Sequence, residues 1–237
     1  MINNGHIQVC GLKVCYGSHE VIRGINFTVQ KGEFVSVIGK SGCGKSSMLH
    51  ALAGLIERTG EVDIPSDVGM IFQNYAVFPW LTVKGNIAFG LKGADEKQRG
   101  ELVARHLEMI GLTNDAHKYP FELSGGQSQR VALARALVLD PNVILMDEPF
   151  GALDQFTREK MQVWLLDIWE KNHKTVIFVT HNIEEAIYLS DRVIVMGQGE
   201  ILGEFPVPFE RPRGEQIKFS AQFMTLKKQM LKVLENC

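Results

Sequence analysis

One short loop limits the fold of this chain more than any other feature of its sequence. Residues 39–46 read Gly39-Lys40-Ser41-Gly42-Cys43-Gly44-Lys45-Ser46 and fit the pattern G-x-x-x-x-G-K-[ST]. The loop follows the apolar run 34–38, which is typical of a buried strand, and precedes residues 46–55, whose apolar side chains recur at helical spacing. A strand, a glycine-rich loop and a helix in this order indicate an α/β fold.

The rest of the chain extends this pattern. After residue 143, apolar runs at 143–146, 176–179 and 193–196 alternate with helical patterns at 155 to about 171 and from 183 onward. Such alternation predicts a parallel sheet covered by helices. Period-2 runs within residues 6–38 predict further strands, and residues 82 to 139 are predicted to be mainly helical.

These patterns divide the chain into three parts. We expect an α/β core with an N-terminal β subdomain at 1–81 and 140–205, and an inserted helical subdomain at 82–139. Prolines 206, 208 and 212 separate the core from a C-terminal helical tail at 206–237.

Composition excludes several classes of protein. With 45% hydrophobic residues, 22% charged residues and a net charge of −2, the chain is an ordinary globular protein without the basic excess typical of nucleic-acid binders. Its apolar runs are strand-sized, so no membrane-spanning helix is expected. The first six residues carry no secretory signal, and the four scattered cysteines suit reduced thiols rather than a disulfide framework.

The glycine loop predicts the chemistry of the site. Its glycines allow successive backbone N–H groups to point at phosphate oxygens, and the following helix adds positive potential at its N-terminus. Lys45 is then expected to reach the β and γ phosphates, and Ser46 to supply an oxygen ligand to Mg²⁺.

Two acidic residues complete this prediction. Asp147 and Glu148 follow the apolar strand at 143–146, and a carboxylate at the carboxyl end of a strand beside a phosphate loop is placed to hold Mg²⁺. We assign that role to Asp147. Glu148 lies one residue further along and is expected to deprotonate the water that attacks the γ-phosphate.

The chain also contains Leu123-Ser124-Gly125-Gly126-Gln127, and with this motif it resembles the nucleotide-binding subunits of ATP-binding-cassette (ABC) transporters over nearly its whole length. The resemblance implies a P-loop NTPase core of the RecA-like type with an antiparallel β subdomain and an inserted α-helical subdomain. It also implies that Tyr16 stacks on adenine, that Gln73 links the metal site to the membrane subunit, and that His181 is a switch residue.

The resemblance supplies a full set of expected site residues. Those implied to be catalytic are Glu148, His181, Gln73 and Lys45. Those implied to bind nucleotide are Tyr16, Gly39, Lys40, Ser41, Gly42, Cys43, Gly44, Lys45, Ser46, Ser47, Ser124, Gly125, Gly126, Gln127 and Asp154. Those implied to hold Mg²⁺ are Ser46, Gln73 and Asp147.

A second helix N-terminus at Ser124 needs a ligand of its own. One chain uses a single such end around its own triphosphate, so we expect the signature to cap ATP bound to another subunit. The resemblance likewise implies a head-to-tail homodimer in which residues 152–154 cross the interface.

The segment Phe78-Pro79-Trp80-Leu81-Thr82 resembles the nitrate, sulfonate and taurine importer branch of the family. This implies an ATPase on the cytoplasmic face of the inner membrane that works with separate permease subunits and, indirectly, with a substrate-binding protein, but not with nucleic acid. The alternatives are a cassette ATPase that acts on DNA or ribosomes and a nucleotide-regulated module without turnover.

Two apolar surfaces each have two possible interpretations. The aromatic segment 74–80 suits either a groove for a partner helix or ordinary core packing. In the C-terminal helix, an apolar stripe can pack on its own domain or against a second copy. Its members are Phe219, Phe223, Leu226, Met230, Val233 and Cys237.

Overall fold

The computed structural model describes residues 7–74, 76–91 and 95–235, and within them two sheets form the frame of the protein. The smaller sheet is antiparallel, with the strand order β2–β1–β4. It consists of β1 (Ile7–Tyr16), β2 (His19–Val29) and β4 (Thr59–Asp63). Buried and exposed residues alternate along β1, because successive side chains of a strand point to opposite faces. The antiparallel β subdomain is thereby confirmed.

The larger sheet has six strands and carries the site. In spatial order they are β5 (Val68–Ile71), β6 (Val143–Asp147), β7 (Thr175–Thr180), β3 (Phe34–Gly39), β8 (Arg192–Gly197) and β9 (Glu200–Pro206). The first five are parallel, and β9 pairs antiparallel with β8 at the edge. Strands β3, β6 and β7 are buried along their whole length, as is typical of a parallel sheet covered on both faces.

Within the described residues, four helices outside the insert pack around this sheet. They are α1 (Lys45–Leu52), α5 (Gln155–Asn172), α6 (Ile183–Leu189) and α7 (Ala221–Glu235). One apolar core joins α1 to the face of the sheet shared with the small sheet, and a second core lies under α5. The carboxyl ends of β3, β5, β6 and β7 therefore meet at one edge, where ligands of open α/β sheets bind.

The helical insert forms a core of its own. It contains α2 (Val83–Ala88), α3 (Glu96–Met109) and α4 (Gly125–Leu137), with 3₁₀ turns at Thr113–Asp115 and Pro120–Glu122. Its buried residues include Val83, Ile87 and Val131. Helix α4 also contributes Leu133 and other residues to the core under α5, so it ties the insert to the sheet.

The C-terminal helix packs on its own chain. Phe223, Leu226 and Met230 are buried against a cluster that includes residues of α6 and β8. The expected stripe is wrong at Phe219, which is 86% exposed and lies in a 3₁₀ turn before the helix. The helix starts at Ala221 because the Ser220 hydroxyl accepts a hydrogen bond from the Phe223 N–H, 3.2 Å away. Cys237 lies outside the described residues.

Some boundaries differ from the sequence predictions. Helix α1 ends at Leu52 rather than at residue 55, because Gly54 takes a positive φ of 70° that an α-helix cannot continue. Strands β4 and β9 were not predicted. Among the described residues, no helix is both long enough and apolar enough to cross a membrane.

Candidate active site

The phosphate loop connects the end of β3 to the start of α1. Gly44 takes φ 104° at the N-cap of α1, a left-handed conformation that glycine adopts without strain. Lys45 is only 5% exposed, and its ammonium group donates to the carbonyl oxygens of Gly39 at 2.8 Å and Lys40 at 3.1 Å. The loop thus holds a buried cation above its own backbone. Lys40, Ser41 and Gly42 lie exposed at the rim of the loop, whereas Cys43 is buried.

Two of the three residues expected to hold Mg²⁺ are in contact. The Ser46 hydroxyl donates to Asp147 Oδ1 at 2.9 Å, although 101 positions separate these residues in the chain. Burial raises the pKa of the Asp147 carboxyl, whereas the Ser46 hydrogen bond and nearby His50 lower it. His50 Nε2 lies 4.0 Å from Asp147 Oδ2.

This pair suits a hard cation. A hydroxyl and a carboxylate are oxygen ligands of the kind that Mg²⁺ prefers, and Mg²⁺ is usually held by one or two protein groups together with water and phosphate oxygens. Among the described residues, no group of three or more His, Cys, Asp and Glu side chains could hold a metal ion alone. The Ser46–Asp147 pair therefore fits a metal that arrives with phosphates.

Glu148 and His181 form a second polar pair at the same sheet edge. His181 Nδ1 lies 3.0 Å from Glu148 Oε2, and both residues directly follow parallel strands, β6 and β7. The Glu148 N–H donates to the Val179 carbonyl oxygen at 2.9 Å, and Glu148 takes a left-handed φ of 42°. Glu148 therefore leaves the line of β6 while its carboxylate stays beside the His181 ring.

Tyr16 lies next to the phosphate-loop helix. Its hydroxyl is 3.4 Å from the Ser47 hydroxyl, and the residue is 52% exposed. An aromatic ring that is anchored at one end and open to solvent offers a face on which a flat ring can stack. The expected roles of Tyr16 and Ser47 in nucleotide binding stay predictions.

Gln73 follows the end of β5, at the same edge as Asp147. The ring of its neighbour Phe72 lies 6.2 Å from the ring of His50, the residue beside Asp147. Gln73 itself is exposed. Within the part of the chain that the structure describes, no hydrogen bond joins Gln73 to Ser46 or Asp147, so its role at the metal stays a prediction.

The signature begins helix α4. Ser124 is the N-cap: its hydroxyl accepts from the Gln127 N–H at 3.3 Å, and the Gln127 side chain accepts from the Ser124 N–H at 2.9 Å. This reciprocal capping box fixes the start of the helix. Ser124 and Gly125 are exposed, so the positive end of a 13-residue helix faces solvent.

Asp154 marks the loop between β6 and α5. Its Oδ1 accepts from the Thr157 N–H at 3.0 Å as the N-cap of α5, and this backbone hydrogen bond lowers the pKa of its carboxyl. A Cβ added to Gly126 would lie 2.9 Å from the Thr157 side chain, so the first turn of α5 packs directly against the signature helix. Asp154 itself is exposed.

Sequence reasoning missed a buried polar group behind this edge. Glu185 in α6 is 4% exposed and accepts from Gln162 Nε2 at 3.0 Å and from the Thr180 hydroxyl. Arg158 of α5 donates to the carbonyl oxygens of Phe150 and Leu153. The only signal in the sequence was that Glu185 is an acidic residue on a face of α6 that is otherwise apolar. The apolar residues of that face are at 183, 186 and 187.

Sequence comparison connects these features to known proteins. A family model described as "ABC transporter" matches residues 22–151. The chain is 44% identical over 213 residues to the nitrate import ATP-binding protein NrtD of Synechococcus elongatus, covering 83% of this chain and 78% of that protein. It is 45% identical over 232 residues to the aliphatic sulfonates import ATP-binding protein SsuB of Bacillus cereus strain ZK / E33L, covering 92% and 90%.

Solved structures share the fold. The dimeric bacterial ABC transporter cassette MJ0796 is 34% identical with a TM-score of 0.76, covering 86% of this chain and all of that chain. The same cassette, as a dimer after hydrolysis with ADP and Pi bound, gives 33% identity over the same shares and a TM-score of 0.75. The protein cbiO1 of Clostridium perfringens, part of the ABC transporter complex cbiONQ, is 24% identical and covers 94% of both chains, with a TM-score of 0.80 that supports the fold alone.

Proposed function

The chain belongs to the ABC transporter family as an ATP-hydrolysing subunit, and on this premise we propose that it powers the import of a small anion such as nitrate, a sulfonate or taurine. The observation that carries the proposal is the 44 to 45% identity to nitrate and sulfonate import subunits over most of the chain. Because the relatives are import ATP-binding proteins, we place the subunit on the cytoplasmic face of the membrane, bound to separate permease subunits.

The phosphate loop supplies nucleotide binding in this proposal. When ATP binds, Lys45 transfers its hydrogen bonds from the carbonyl oxygens of Gly39 and Lys40 to the β and γ phosphates. Ser46 and Asp147 would hold Mg²⁺, which neutralises charge on the phosphates as it does in other P-loop proteins. Tyr16 stacks on the adenine, and the loop backbone and Ser47 lie beneath the phosphates.

Glu148 and His181 then carry out hydrolysis. Glu148 accepts a proton from water, the water oxygen forms a bond to the γ-phosphorus, and the bond between that phosphorus and the β–γ bridging oxygen breaks. The products are ADP and phosphate. His181, which lies 3.0 Å from Glu148, keeps that carboxylate oriented. Because His181 directly follows β7, its position couples the presence of the γ-phosphate to the end of that strand.

The signature completes a second site in this scheme. We place Ser124, Gly125, Gly126 and Gln127 against the γ-phosphate of ATP bound to another copy of the chain, with Asp154 at the interface. Support comes from the exposed N-terminus of α4 and from related cassettes solved as dimers. Each head-to-tail dimer would then contain two composite sites.

An exposed aromatic cluster is the proposed permease contact. Trp80 is 69% exposed and Phe89 is 41% exposed, and both rings pack on Phe78 at centroid distances of 5.3 and 4.4 Å. Arg135 covers the same Phe78 ring at 4.9 Å. Because the cluster is close in sequence to Gln73, a permease helix bound there could affect the ATP site.

Reconstitution tests the proposed function. The subunit would be assembled with permease subunits in proteoliposomes, and ATP hydrolysis measured with a binding protein loaded with nitrate, an aliphatic sulfonate or taurine. We expect one anion to stimulate hydrolysis and to accumulate inside, and Glu148→Gln to abolish both. Stimulation by DNA or ribosomes, with none by any anion, would contradict the proposal.

A further inference from the structure

A buried carboxylate lies directly behind the proposed hydrolytic pair. Glu185 is the third residue of α6 and is 4% exposed, and burial raises the pKa of its carboxyl. The proposed mechanism does not use it. A buried acid in a short helix is costly unless its oxygens are hydrogen-bonded, so its partners indicate what it holds in place.

The first partner is the residue before His181. The Thr180 hydroxyl donates to Glu185 and accepts from the Asn182 N–H at 3.1 Å. Asn182 in turn caps α6, since its Oδ1 accepts from the N–H groups of Glu184 and Glu185 at 3.0 and 3.2 Å. Glu185 therefore fixes the backbone on both sides of His181.

The second partner is Gln162 of α5, the helix that follows the loop after Glu148. Gln162 of α5 donates to Glu185 at 3.0 Å, and Arg158, one turn earlier on α5, provides a positive charge that favours the ionised form of Glu185. The Arg158 guanidinium donates to the carbonyl oxygens of Phe150 at 3.3 Å and Leu153 at 2.8 Å. It thereby shapes the loop between Glu148 and Asp154.

The hydrolytic pair and the buried polar group around Glu185 border one small cavity. A space of about 10 Å³ is lined by Glu148 and His181 on one side and by Arg158, Thr180 and Glu185 on the other. The polar group behind the site and the hydrolytic pair therefore border the same space, although they come from four different segments of the chain.

We propose that Glu185 and Arg158 are positioning residues for ATP hydrolysis, with Glu185 setting His181 through Thr180 and Arg158 setting the loop from Glu148 to Asp154. This inference rests on the proposed roles of Glu148 and His181. Misplacing reacting groups by about 1 Å can lower a rate by about 10²-fold, so residues that never touch ATP still control turnover here.

The test compares two neighbouring glutamates in the full-length subunit. Glu185→Gln keeps the size of the side chain but removes the charge, whereas Glu184→Gln removes an exposed charge that pairs with Lys227. We expect Glu185→Gln to lower kcat by about 10- to 100-fold with an unchanged Kd for ATP, because binding groups are untouched. Glu184→Gln should keep the wild-type kcat.

A spectroscopic readout separates positioning from a general loss of structure. Selective ¹³C labelling of the seven histidines, with His181 assigned from a His181→Gln sample, reports on the ring beside Glu148. The His181 resonances should shift in Glu185→Gln and stay in place in Glu184→Gln. Thr180→Val should show the same shift and the same loss of kcat. Thr180→Ser, which keeps the hydroxyl, should show the wild-type His181 resonances and the wild-type kcat.

Arg158 has its own matched pair on α5. Arg158→Met removes the donors to the loop carbonyls, while Lys171→Met removes a cation that lies exposed on the same helix and pairs with Asp167. We expect a drop in kcat of about tenfold or more only for Arg158→Met, with the Kd for ATP retained.

The outcomes distinguish this inference from the proposed function. If Glu185→Gln, Thr180→Val and Arg158→Met all keep wild-type kcat while Glu148→Gln loses it, the positioning role is wrong and the hydrolytic roles stand. If His181 shifts in Glu185→Gln but neither that variant nor Glu148→Gln loses turnover, the roles of Glu148 and His181 fail, and with them the inference.

Discussion

The phosphate loop and the signature are both helix N-termini, yet they differ in how their polar groups are satisfied. Lys45 is buried and bonded to two carbonyl oxygens of its own loop, and Ser46 is bonded to Asp147 from a distant strand. At the signature, Ser124 and Gln127 bond to each other, and Gln127 also reaches Asp115 of the same insert. Within the described residues, no hydrogen bond or ion pair joins the two regions.

This difference indicates which half of the site the chain assembles alone. The phosphate-loop half brings together residues in or directly after β3, β6 and β7, so the proposed metal ligands and the proposed base come together when the sheet folds. The signature half presents a helix end that is capped by its own side chains and exposed to solvent. A composite site shared by two copies accounts for both observations.

The largest expected effect tests the phosphate-loop half. Glu148→Gln should lower the rate of hydrolysis by about 10²- to 10⁴-fold while ATP still binds, because only the proton acceptor is lost. The matched change near the signature, Glu122→Gln, alters a side chain that only accepts from the Tyr119 N–H, and should change the rate less than about twofold. Steady-state hydrolysis and nucleotide titration measure both. Comparable losses in the two variants would erase the distinction between the halves.

Mixing two inactive variants tests whether the halves belong to different copies. Lys45→Ala and Ser124→Arg should each be inactive alone, because each dimer site lacks either its lysine or its signature. In an equal mixture, half of the dimers are mixed, and each mixed dimer has one site free of both changes. About a quarter of the wild-type rate should return, as expected for a two-fold dimer whose contacts are reciprocal. No recovery in a mixture proven to exchange subunits would show that each chain works with its own signature.

Motifs that are continuous in sequence were the most predictable part of the site. The loop at 39–46 follows a strand and opens a helix, and Ser124 caps its helix as expected. The Ser46–Asp147 contact was also foreseeable, because parallel strands bring their carboxyl ends to one sheet edge.

Features that depend on tertiary context escaped prediction. Strand β4 has a mostly exposed sequence, Thr-Gly-Glu-Val-Asp, with weak strand preference, and it forms because β1 offers an edge for pairing. Glu185 looks like one more surface acid until α5 and β7 fold against it. Phe219 matched the helical spacing, but the cap at Ser220 excludes it from the helix. The division into three parts remains a prediction.

The same glycine-to-alanine change should act differently in the two halves. Gly44→Ala puts a Cβ 2.6 Å from the Ile22 side chain at φ 104°, and should cost about 1–3 kcal/mol of unfolding free energy. Gly125→Ala adds a Cβ that meets only the end of Leu153 at 3.3 Å, so stability should change by less than about 0.5 kcal/mol. Hydrolysis should fall, because the proposed dimer places the ATP of the partner copy against Gly125. Urea unfolding and hydrolysis measure the two effects. Equal destabilisation by both changes would mean that the signature is as tightly packed as the phosphate loop.

The smallest effect concerns two carboxylates that behave oppositely with pH, one exposed beside the signature and one buried behind the hydrolytic pair. The pKa of Asp154 is lowered below 3.8 in the folded state by its Thr157 N–H hydrogen bond, so its stabilising effect is present above pH 3.8 and is lost as the pH falls through the lower value. The pKa of Glu185 is raised above 4.5 by burial, so its contribution to stability is complete below pH 4.5 and is lost as the pH rises through the folded value.

The difference in unfolding free energy between wild type and Asp154→Asn should therefore increase with pH, and that between wild type and Glu185→Gln should decrease. Urea unfolding at several pH values between 3 and 8 measures both slopes, and slopes of the same sign would contradict the contrast between the exposed and buried sides of the site.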